Sequence, residues 1–365
     1  MKALQIFAGP RALARIRERG LSPSDIRAIP AAAGGPKGLT LLTLDRFLFG
    51  EWLPQSAQPV DLIGASIGAW RMAAAMLNDP VSAIASLEHA YIRQDFDVPP
   101  GRKSPTREHV SERFAEGIQA MFGQRVDEVL SHSRYRLHVL TSRGRHILNR
   151  DHALRTPLGY AGAFLSNVAS RKAMGAWLER AVFSSHISPL PFAANDFRTR
   201  RYALSDVNFA SVVQASCSIP FVLNAVHDIP GAARGAYWDG GITDYHLHLD
   251  YRSAAQEANG SDTALVLYPH FQRAVVPGWL DKSLKWRRRS THFLDDVIVL
   301  APRPDWVATL PNHKLPDRTD FVRYGRDLPA RVAAWQTAVA ESEQLRDEFA
   351  NWVSSGADIG AVAAL

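Results

Sequence analysis

Residues 60–70 have the sequence Val-Asp-Leu-Ile-Gly-Ala-Ser-Ile-Gly-Ala-Trp, an apolar run that leads into Gly-x-Ser-x-Gly and then into an Ala-rich segment. This order predicts a buried strand, a sharp turn at Ser66 and a helix, the arrangement known as a nucleophile elbow. Gly64 and Gly68 suit such a turn because they carry no Cβ that would clash with nearby backbone. The elbow would expose the Ser66 hydroxyl at the edge of a sheet. The alternative is a strand-to-helix turn in which Ser66 only caps the helix.

A glycine-rich stretch, Gly34-Gly35-Pro36-Lys37-Gly38, lies about thirty residues before the elbow serine, between a predicted strand at 26–33 and an apolar helical segment. A helix N-terminus with free backbone N–H groups attracts anions. The proline has no N–H, so the useful donors are the amides of Gly34 and Gly35. An oxyanion hole serving the elbow fits this stretch best. A phosphate site and a simple tight turn are the alternatives, although the Lys-Ser/Thr ending of a P-loop is absent.

A third motif, Trp238-Asp239-Gly240-Gly241, follows Ser66 by 173 residues and puts a carboxylate into a double-glycine turn. The aromatic run before it predicts a short strand, and α/β sheets carry their chemistry at strand ends. A serine hydroxyl needs a base within hydrogen-bond distance to take its proton during attack on an acyl carbon. Asp239 is the candidate base, and burial would raise its pKa and make it a stronger one.

The remaining periodicity predicts strands and helices alternating along most of the chain. The predicted strands are 26–33, 60–65, 135–141, 201–204, 236–239, 264–269 and 296–300, and the predicted helices are 12–19, 39–48, 69–77, 81–91, 107–122, 164–183, 207–217 and 328–353. This pattern predicts a three-layer α/β/α sandwich with a mostly parallel central sheet and a C-terminal helical extension. We expect an N-terminal segment at 1–25, a catalytic domain at 26–300 and a packed helical extension at 301–365.

The composition is that of a globular protein rather than of a nucleic-acid-binding or disulfide-stabilised one. A net charge of +6 over 365 residues is modest, and no familiar nucleic-acid-binding motif is present, so we expect no nucleic-acid partner. A single cysteine, Cys217, excludes an intramolecular disulfide and is consistent with a reducing compartment. The sequence shows neither a secretory signal nor an apolar run long enough to span a bilayer. We therefore expect a cytoplasmic location.

The stretch from Trp279 to Arg289 combines five lysine and arginine residues with Trp and Leu. Such a stretch is typical of peripheral contact with an anionic membrane surface, so the predicted location includes the membrane periphery. The alternative is a solvated surface segment whose tryptophan packs on the core.

The three motifs, in this order, resemble those of the patatin-like phospholipases: a glycine-rich oxyanion loop with a basic residue, Gly-x-Ser-x-Gly, and Asp-Gly-Gly or Asp-Gly-Ala. The resemblance runs from about Ile26 to Pro269, and residues 215–220 are similar to the family's Ala-Ser-x-x-x-Pro segment. The chain departs from the family at Ala33, where many members have glycine, and at Tyr245-His246-Leu247, which replaces Asn-x-Pro.

The resemblance implies a lipid acyl hydrolase of the phospholipase A, lysophospholipase or esterase type, in which Ser66 is the nucleophile and Asp239 the base. No histidine, metal or cofactor would take part, and the substrate would be a lipid or another acyl ester. Gly34 and Gly35 would supply the oxyanion amides. The residues that would support the motifs are Lys37, Gly38, Gly64, Gly68, Gly240 and Gly241.

Two other interpretations stay open on the sequence alone. One is an α/β-hydrolase triad, with Asp206 or Asp239 as the acid and a later histidine as the base. The candidate histidines are His246, His248, His270 and His292. The other interpretation is a lipid-binding protein that kept the fold without the reaction. Its expected mark, a change at Ser66 or Asp239, is absent.

Overall fold

The computed structural model describes residues 2–102, 104–186, 189–251 and 264–365. Within these ranges eleven strands form one mixed, mostly parallel sheet with helices packed on it, which confirms the predicted α/β/α class. The strands are β1 (Leu4–Ala8), β2 (Ile26–Ala31), β3 (Val60–Ala65), β4 (Tyr135–Gly144), β5 (Leu178–Ser184), β6 (Thr199–Ala203), β7 (Val226–His227), β8 (Ala236–Asp239), β9 (Leu265–Pro269), β10 (Val297–Pro302) and β11 (Val362–Ala364).

The helices vary from single turns to four turns in length. They are α1 (Pro10–Arg19), α2 (Leu42–Phe47), α3 (Ile67–Ala74), α4 (Pro80–Arg93), α5 (Arg107–Phe122), α6 (Val126–Leu130), α7 (Arg155–Ala169), α8 (Phe209–Cys217), α9 (Gly241–Asp244), α10 (Pro304–Val307), α11 (Thr319–Tyr324), α12 (Leu328–Glu341) and α13 (Glu343–Ser354). Short 3-10 or π-helical turns include Gly35–Leu41, Leu48–Trp52, Trp279–Asp281 and Lys285–Arg288. Among the described residues, no helix is both long and apolar enough to cross a membrane.

The strand order is β11-β1-β10-β9-β2-β3-β4-β5-β6, and β8 pairs with both β4 and β7. Parallel pairing joins β9, β2, β3 and β4 in the middle of the sheet. The carboxyl ends of these strands therefore meet at one edge, where α/β sheets carry their ligand sites. These four central strands are almost wholly buried, as expected for strands covered on both faces, whereas the edge strand β6 is largely exposed.

Strand β4 is longer than its parallel neighbour β3, and this difference in length positions the third motif, the aspartate before the glycine pair. Its first six residues pair with β3, ending with Ala65 opposite Leu140. Its next residues pair antiparallel with β8, where Thr141 lies opposite Asp239. Ser66 therefore comes directly after the residue opposite Leu140, and Asp239 lies opposite the next residue, Thr141. Strand β4 thus brings together two residues that are far apart in sequence.

Two sequence predictions of local structure are wrong. The first strand of the sheet is β1, not the run at 26–33, and it pairs with β10 and β11 from the other end of the chain. The predicted helix at 164–183 is in fact the end of α7 followed by strand β5. Strand β5 is buried throughout although it contains Glu179 and Arg180, because both form buried ion pairs.

The C-terminal part of the chain consists of the helices α12 and α13 followed by the short strand β11. The buried residues of α12 and α13 include the predicted core-facing Trp335, Val339, Leu345, Phe349 and Trp352. After α13 the chain returns to the sheet as β11. The domain boundaries at residues 25 and 300 stay a prediction.

Candidate active site

The elbow is built where β3 meets α3. Ser66 has φ 57° and ψ −130°, a left-handed backbone conformation that is uncommon for a residue with a side chain. A Cβ on Gly68 would lie 1.9 Å from the Ala31 carbonyl oxygen, and one on Gly64 would lie 2.3 Å from the Ala69 Cα. Both glycines therefore allow α3 to approach β2 and β3 closely enough to form the sharp turn at Ser66.

The Ser66 hydroxyl donates a hydrogen bond of 2.7 Å to Oδ2 of Asp239. The two residues, called here the Ser–Asp pair, are 4% and 5% exposed. The other carboxylate oxygen of Asp239 accepts a 2.7 Å hydrogen bond from the amide of Gly241, which fixes the orientation of the carboxylate. Burial raises the pKa of Asp239, and this effect outweighs the opposing influence of Arg318 and the hydrogen bonds from Ser66 and Gly241.

Ser216 on α8 connects the elbow to strand β4. Its hydroxyl accepts a 2.9 Å hydrogen bond from the amide of Ser66 and donates one of 2.7 Å to the Leu140 carbonyl oxygen. The carbonyl oxygen of Ser216 accepts a hydrogen bond from the Gly240 amide, 3.2 Å away. A Cβ on Gly240 would lie 2.1 Å from that same Leu140 oxygen. Ser216 therefore holds the backbone of both motifs.

The glycine-rich loop leaves the carboxyl end of β2 beside the elbow. Gly35 has φ +57°, which favours glycine, and a Cβ on Gly34 would lie 2.6 Å from the Phe271 ring. Within the described part of the chain, neither the Gly34 nor the Gly35 amide donates a hydrogen bond to the protein. Both N–H groups are therefore free for an incoming oxygen. Lys37 lies on the same loop, with its ammonium 5.2 Å from the centre of the Phe271 ring.

A cavity of about 200 Å³ opens at Asp239 of the Ser–Asp pair. Gly34 and Lys37 line one side, and Ile219 and Pro220 from the loop after α8 line another. Trp279, Lys282, Asp317, Arg318 and Thr319 complete the wall, together with Asp239 and the start of α9. The cavity is too small to enclose a drug-sized ligand, so most of a larger substrate would lie outside it.

The structure brings none of the four candidate histidines into hydrogen-bond contact with the Ser–Asp pair. Nδ1 of His246 and Nδ1 of His270 accept hydrogen bonds from the backbone amides of Val276 and Gln272, 3.0 and 3.2 Å away. Burial lowers the pKa of His246 far below the usual histidine range and that of His270 to about 3. Both imidazole rings are therefore neutral, and they pack on Phe271 rather than on the Ser–Asp pair.

The other members of the triad interpretation lie elsewhere. His248 is paired with the Thr291 hydroxyl, 3.1 Å away, and burial lowers its pKa to about 4. His292 is exposed and contacts Phe293. Asp206 lies exposed in the turn before α8. The geometry thus gives the triad no imidazole next to the serine.

The stretch from Trp279 to Arg289 is only partly exposed. Trp279 is half-buried in the cavity wall, and Leu284 is buried. Arg287 is bound to Asp281 and to Asn167 of α7. The side chains left exposed, which could contact a membrane, are Lys282, Lys285, Trp286, Arg288 and Arg289.

Sequence reasoning did not assign several residues that the fold brings to the site. In the sequence, Ser216 stands out only as part of the stretch at 215–220 that resembles the family, and Lys282 only as part of a basic stretch. Arg318 and Thr319 have no recognisable local motif. Tyr245 was noted only as a departure from the family pattern, yet its ring lies 4.0 Å from the Lys282 ammonium.

A comparison with models of protein families matches residues 32–246 to the patatin-like phospholipases. A comparison with curated proteins finds no match. The matched range covers more than half of the chain and contains all three motifs, as well as Ser216. The family predicted from the motif order is therefore confirmed, and this chain belongs to the patatin-like phospholipase family.

Proposed function

We propose that the protein hydrolyses acyl esters of lipids through an acyl-Ser66 intermediate, with Asp239 as the only general base. Family membership implies a lipid acyl hydrolase in general. The observation that carries the finer proposal is the 2.7 Å hydrogen bond from the Ser66 hydroxyl to a buried carboxylate, without an intervening imidazole.

In the first half-reaction Oγ of Ser66 attacks the acyl carbon while Asp239 takes the hydroxyl proton. The carbonyl oxygen becomes an oxyanion, for which the free amides of Gly34 and Gly35 are the candidate donors. One such donor contributes about 3 kcal/mol to transition-state stabilisation. Asp239 then gives the proton to the departing alcohol oxygen as the ester C–O bond breaks.

In the second half-reaction Asp239 takes a proton from water, whose oxygen attacks the acyl-enzyme carbon. The acid is released, and the proton returns to Oγ of Ser66. The raised pKa of Asp239 favours both transfers, because a carboxylate in water is a weak base toward an alcohol or water. The Gly241 amide restrains the carboxylate without shielding its other oxygen.

The test is hydrolysis of a short-chain fluorogenic ester by the wild type and by Ser66→Ala, Asp239→Asn, His246→Ala and His270→Ala proteins. We expect the first two variants to lose at least about a thousandfold in kcat. The two histidine variants should keep most of the activity, provided that circular dichroism shows them folded. Equal rates for the wild type and Ser66→Ala would instead favour a lipid-binding protein.

A histidine variant that is folded but inactive, beside an active Asp239→Asn, would overturn the dyad in favour of a triad. The asparagine keeps the size of the side chain and can still accept from the Gly241 amide, so its effect reports mainly on the lost base. Profiling the wild type over a lipid panel would then identify the acyl chain and head group.

We also propose that the rim of the cavity contacts an anionic membrane. Helix α7 has an apolar face pointing to solvent, where Leu154, Leu158 and Leu165 are 67–72% exposed at helical spacing. Tyr160 of α7 packs edge-to-face on Phe221, which is itself half exposed and follows the cavity-lining Pro220.

Charge at this rim matches an anionic bilayer. Arg287 joins the basic stretch to α7 through the Val168 carbonyl oxygen and Asn167. The exposed Lys285, Arg288 and Arg289 therefore lie close to an exposed apolar face, the combination that binds anionic lipid surfaces.

Vesicle sedimentation tests this contact. Binding to phosphatidylserine-containing vesicles should exceed binding to pure phosphatidylcholine vesicles, and Leu158→Asp with Leu165→Asp should abolish it. The matched control is Val207→Asp. Val207 is likewise 70% exposed, but it lies before the N-terminal end of α8, whereas Ser216 lies near the C-terminal end. Binding that is unchanged in the double variant, or equally lost in the control, would refute the proposed surface.

A further inference from the structure

Three cationic side chains line the cavity beside Asp239: Lys37, Lys282 and Arg318. Within the described residues, none of their charged groups forms an ion pair or hydrogen bond with another side chain or a backbone carbonyl. The ammonium of Lys37 lies over Phe271, and that of Lys282 lies over Tyr245.

The acidic residues of the cavity do not balance this charge. Asp317 is engaged by the Lys314 ammonium at 2.7 Å and by the Thr319 amide at 2.8 Å. The remaining carboxylate, Asp239, accepts from Ser66 and Gly241. Three cations thus share a small cavity with two carboxylates, of which Asp317 is paired with Lys314 and Asp239 is hydrogen-bonded to Ser66 and Gly241.

The cations also disfavour one another. Although the Lys282 side chain is exposed overall, partial desolvation in the cavity wall lowers its pKa to about 8, and repulsion from Arg318 and Lys37 adds to this effect. Burial and the nearby Lys314 and Arg318 likewise lower the pKa of Lys37, against the attraction of Asp317. A cluster that destabilises its own charges is the arrangement expected of a site that binds an anion.

The cluster lies beside the groups proposed to carry out the reaction. Nε of Arg318 is 3.4 Å from the point where a Cβ on Gly35 would lie, next to the candidate oxyanion amides. Gly34 and Asp239 line the same cavity as the three cations. An anion held there would therefore be only a few bonds from the ester under attack.

We propose that this cationic cluster binds a phosphate group on the alcohol side of the substrate and so selects phosphate-bearing acyl esters over neutral ones. A phosphate offers several oxygens and up to two negative charges, which suits three separate cations better than a single carboxylate does. Lys37 lies inside the matched range 32–246, whereas Lys282 and Arg318 lie after it, so the C-terminal part of this chain supplies two of the three cations. The inference rests on the proposed acyl-ester hydrolysis.

The test compares dihexanoylphosphatidic acid with dihexanoylglycerol, both below their aggregation limits. The two substrates share their acyl esters and differ in the phosphate, and monomeric substrates remove any effect of membrane docking. The wild type should prefer the phosphate-bearing ester in kcat/KM. Lys282→Gln and Arg318→Gln should each reduce this preference by about tenfold or more, the usual effect of losing one charged hydrogen bond.

Arg323→Gln is the matched control, because Arg323 is also exposed and lies on α11, one turn after Arg318, but does not line the cavity. It should keep the wild-type preference. A wild type without preference, or cluster variants that keep it, would overturn the inference. If Arg318 acted only on the oxyanion, both esters would slow equally and the preference would not change, which also overturns it.

Binding to the Ser66→Ala protein separates this inference from the proposed reaction. Calorimetric titration with dihexanoylphosphatidic acid should show binding that weakens about tenfold or more when Lys282→Gln is added. Such binding in a protein whose wild type hydrolyses no ester would support the phosphate site and refute the hydrolase. Ester hydrolysis by the wild type without phosphate-dependent binding would support the hydrolase and refute the phosphate site.

Discussion

Replacing Ser216 with alanine should damage both stability and catalysis, because one hydroxyl supports the elbow from outside the Ser–Asp pair. Ser216 is fully buried, and its Oγ lies between the Ser66 amide and the Leu140 carbonyl oxygen. The substitution removes this bridge and leaves the methyl group of alanine in its place. The Ser66 N–H has no other hydrogen-bond partner among the described residues.

The expected loss of stability follows from these two hydrogen bonds. An orphaned buried N–H costs about 1–3 kcal/mol, and the lost hydrogen bond to Leu140 costs about 1 kcal/mol more. We therefore expect a fall of about 2–4 kcal/mol in the free energy of unfolding. Ser66 also has a positive φ, a conformation that costs about 1–3 kcal/mol and persists only when its surroundings hold it.

Without the Ser216 bridge the turn can relax, and Oγ of Ser66 then moves relative to Asp239. A displacement approaching 1 Å lowers the rate by about a hundredfold, so we expect kcat to fall about ten- to a hundredfold with little change in KM. Thermal unfolding followed by circular dichroism measures the first effect, and steady-state hydrolysis of a soluble ester measures the second.

Ser218→Ala is the control for the Ser216 variant. Ser218 is equally buried, but its hydroxyl donates to the Gln214 carbonyl oxygen within the same chain segment, 3.0 Å away. This variant should lose about 1 kcal/mol of stability and little activity. If Ser216→Ala were no less stable and no slower than Ser218→Ala, the argument that Ser216 holds the elbow would be wrong.

Three further predictions concern charge and backbone. Because burial raises the pKa of Asp239, the acid limb of the pH profile of kcat/KM on a neutral ester should lie above pH ~4, the ordinary aspartate value; a limb at or below it would contradict this role. Lys282, with a pKa of about 8, loses its charge as pH rises, so the preference for phosphatidic acid over the diacylglycerol should fall between pH ~7.5 and ~9.5, where the phosphate stays a dianion. Lys282→Arg should keep that preference over the same pH range. If the preference fell equally in the wild type and in Lys282→Arg, deprotonation of Lys282 would be excluded as the cause. Gly68→Ala should lose more than about 3 kcal/mol of stability or fail to fold, since its Cβ would lie 1.9 Å from the Ala31 carbonyl oxygen. In the control Gly175→Ala the new Cβ would lie 3.6 Å from its nearest neighbour, so its melting temperature should be close to that of the wild type.

The residues of the Ser–Asp pair could be identified from sequence because each lies in a short motif with its own geometric requirement. A serine between two glycines at a strand-to-helix junction and an aspartate before a glycine pair are visible within five residues. The 2.7 Å contact between them was not visible. It depends on strand β4 extending beyond the end of β3 and pairing there with β8, which is a property of long-range register.

The errors in the predicted sheet have the same origin. Strand β1 is five residues long and owes its pairing to β10, nearly 300 residues away, and to β11, more than 350 residues away, so no local pattern marks it as part of the sheet. In β5, Arg180 pairs with Asp244 and Asp196, and Glu179 pairs with Arg143, so that two charged residues are compatible with a buried strand. The helical pattern read at 164–183 contains no sign of these partners, because they lie elsewhere in the chain.

Arg318 illustrates how the extension after the matched range can influence the reaction itself. Burial raises the pKa of Asp239, while the charges of Arg318 and Lys282 lower it. A substrate phosphate held by these cations would offset their charge, and the carboxylate would then lose part of the interaction that favours its ionised form. Asp239 would accordingly become a stronger base when the proposed substrate is bound. The residues that we propose for selecting the phosphate would thus also adjust the base that activates Ser66 for attack on the ester beside it.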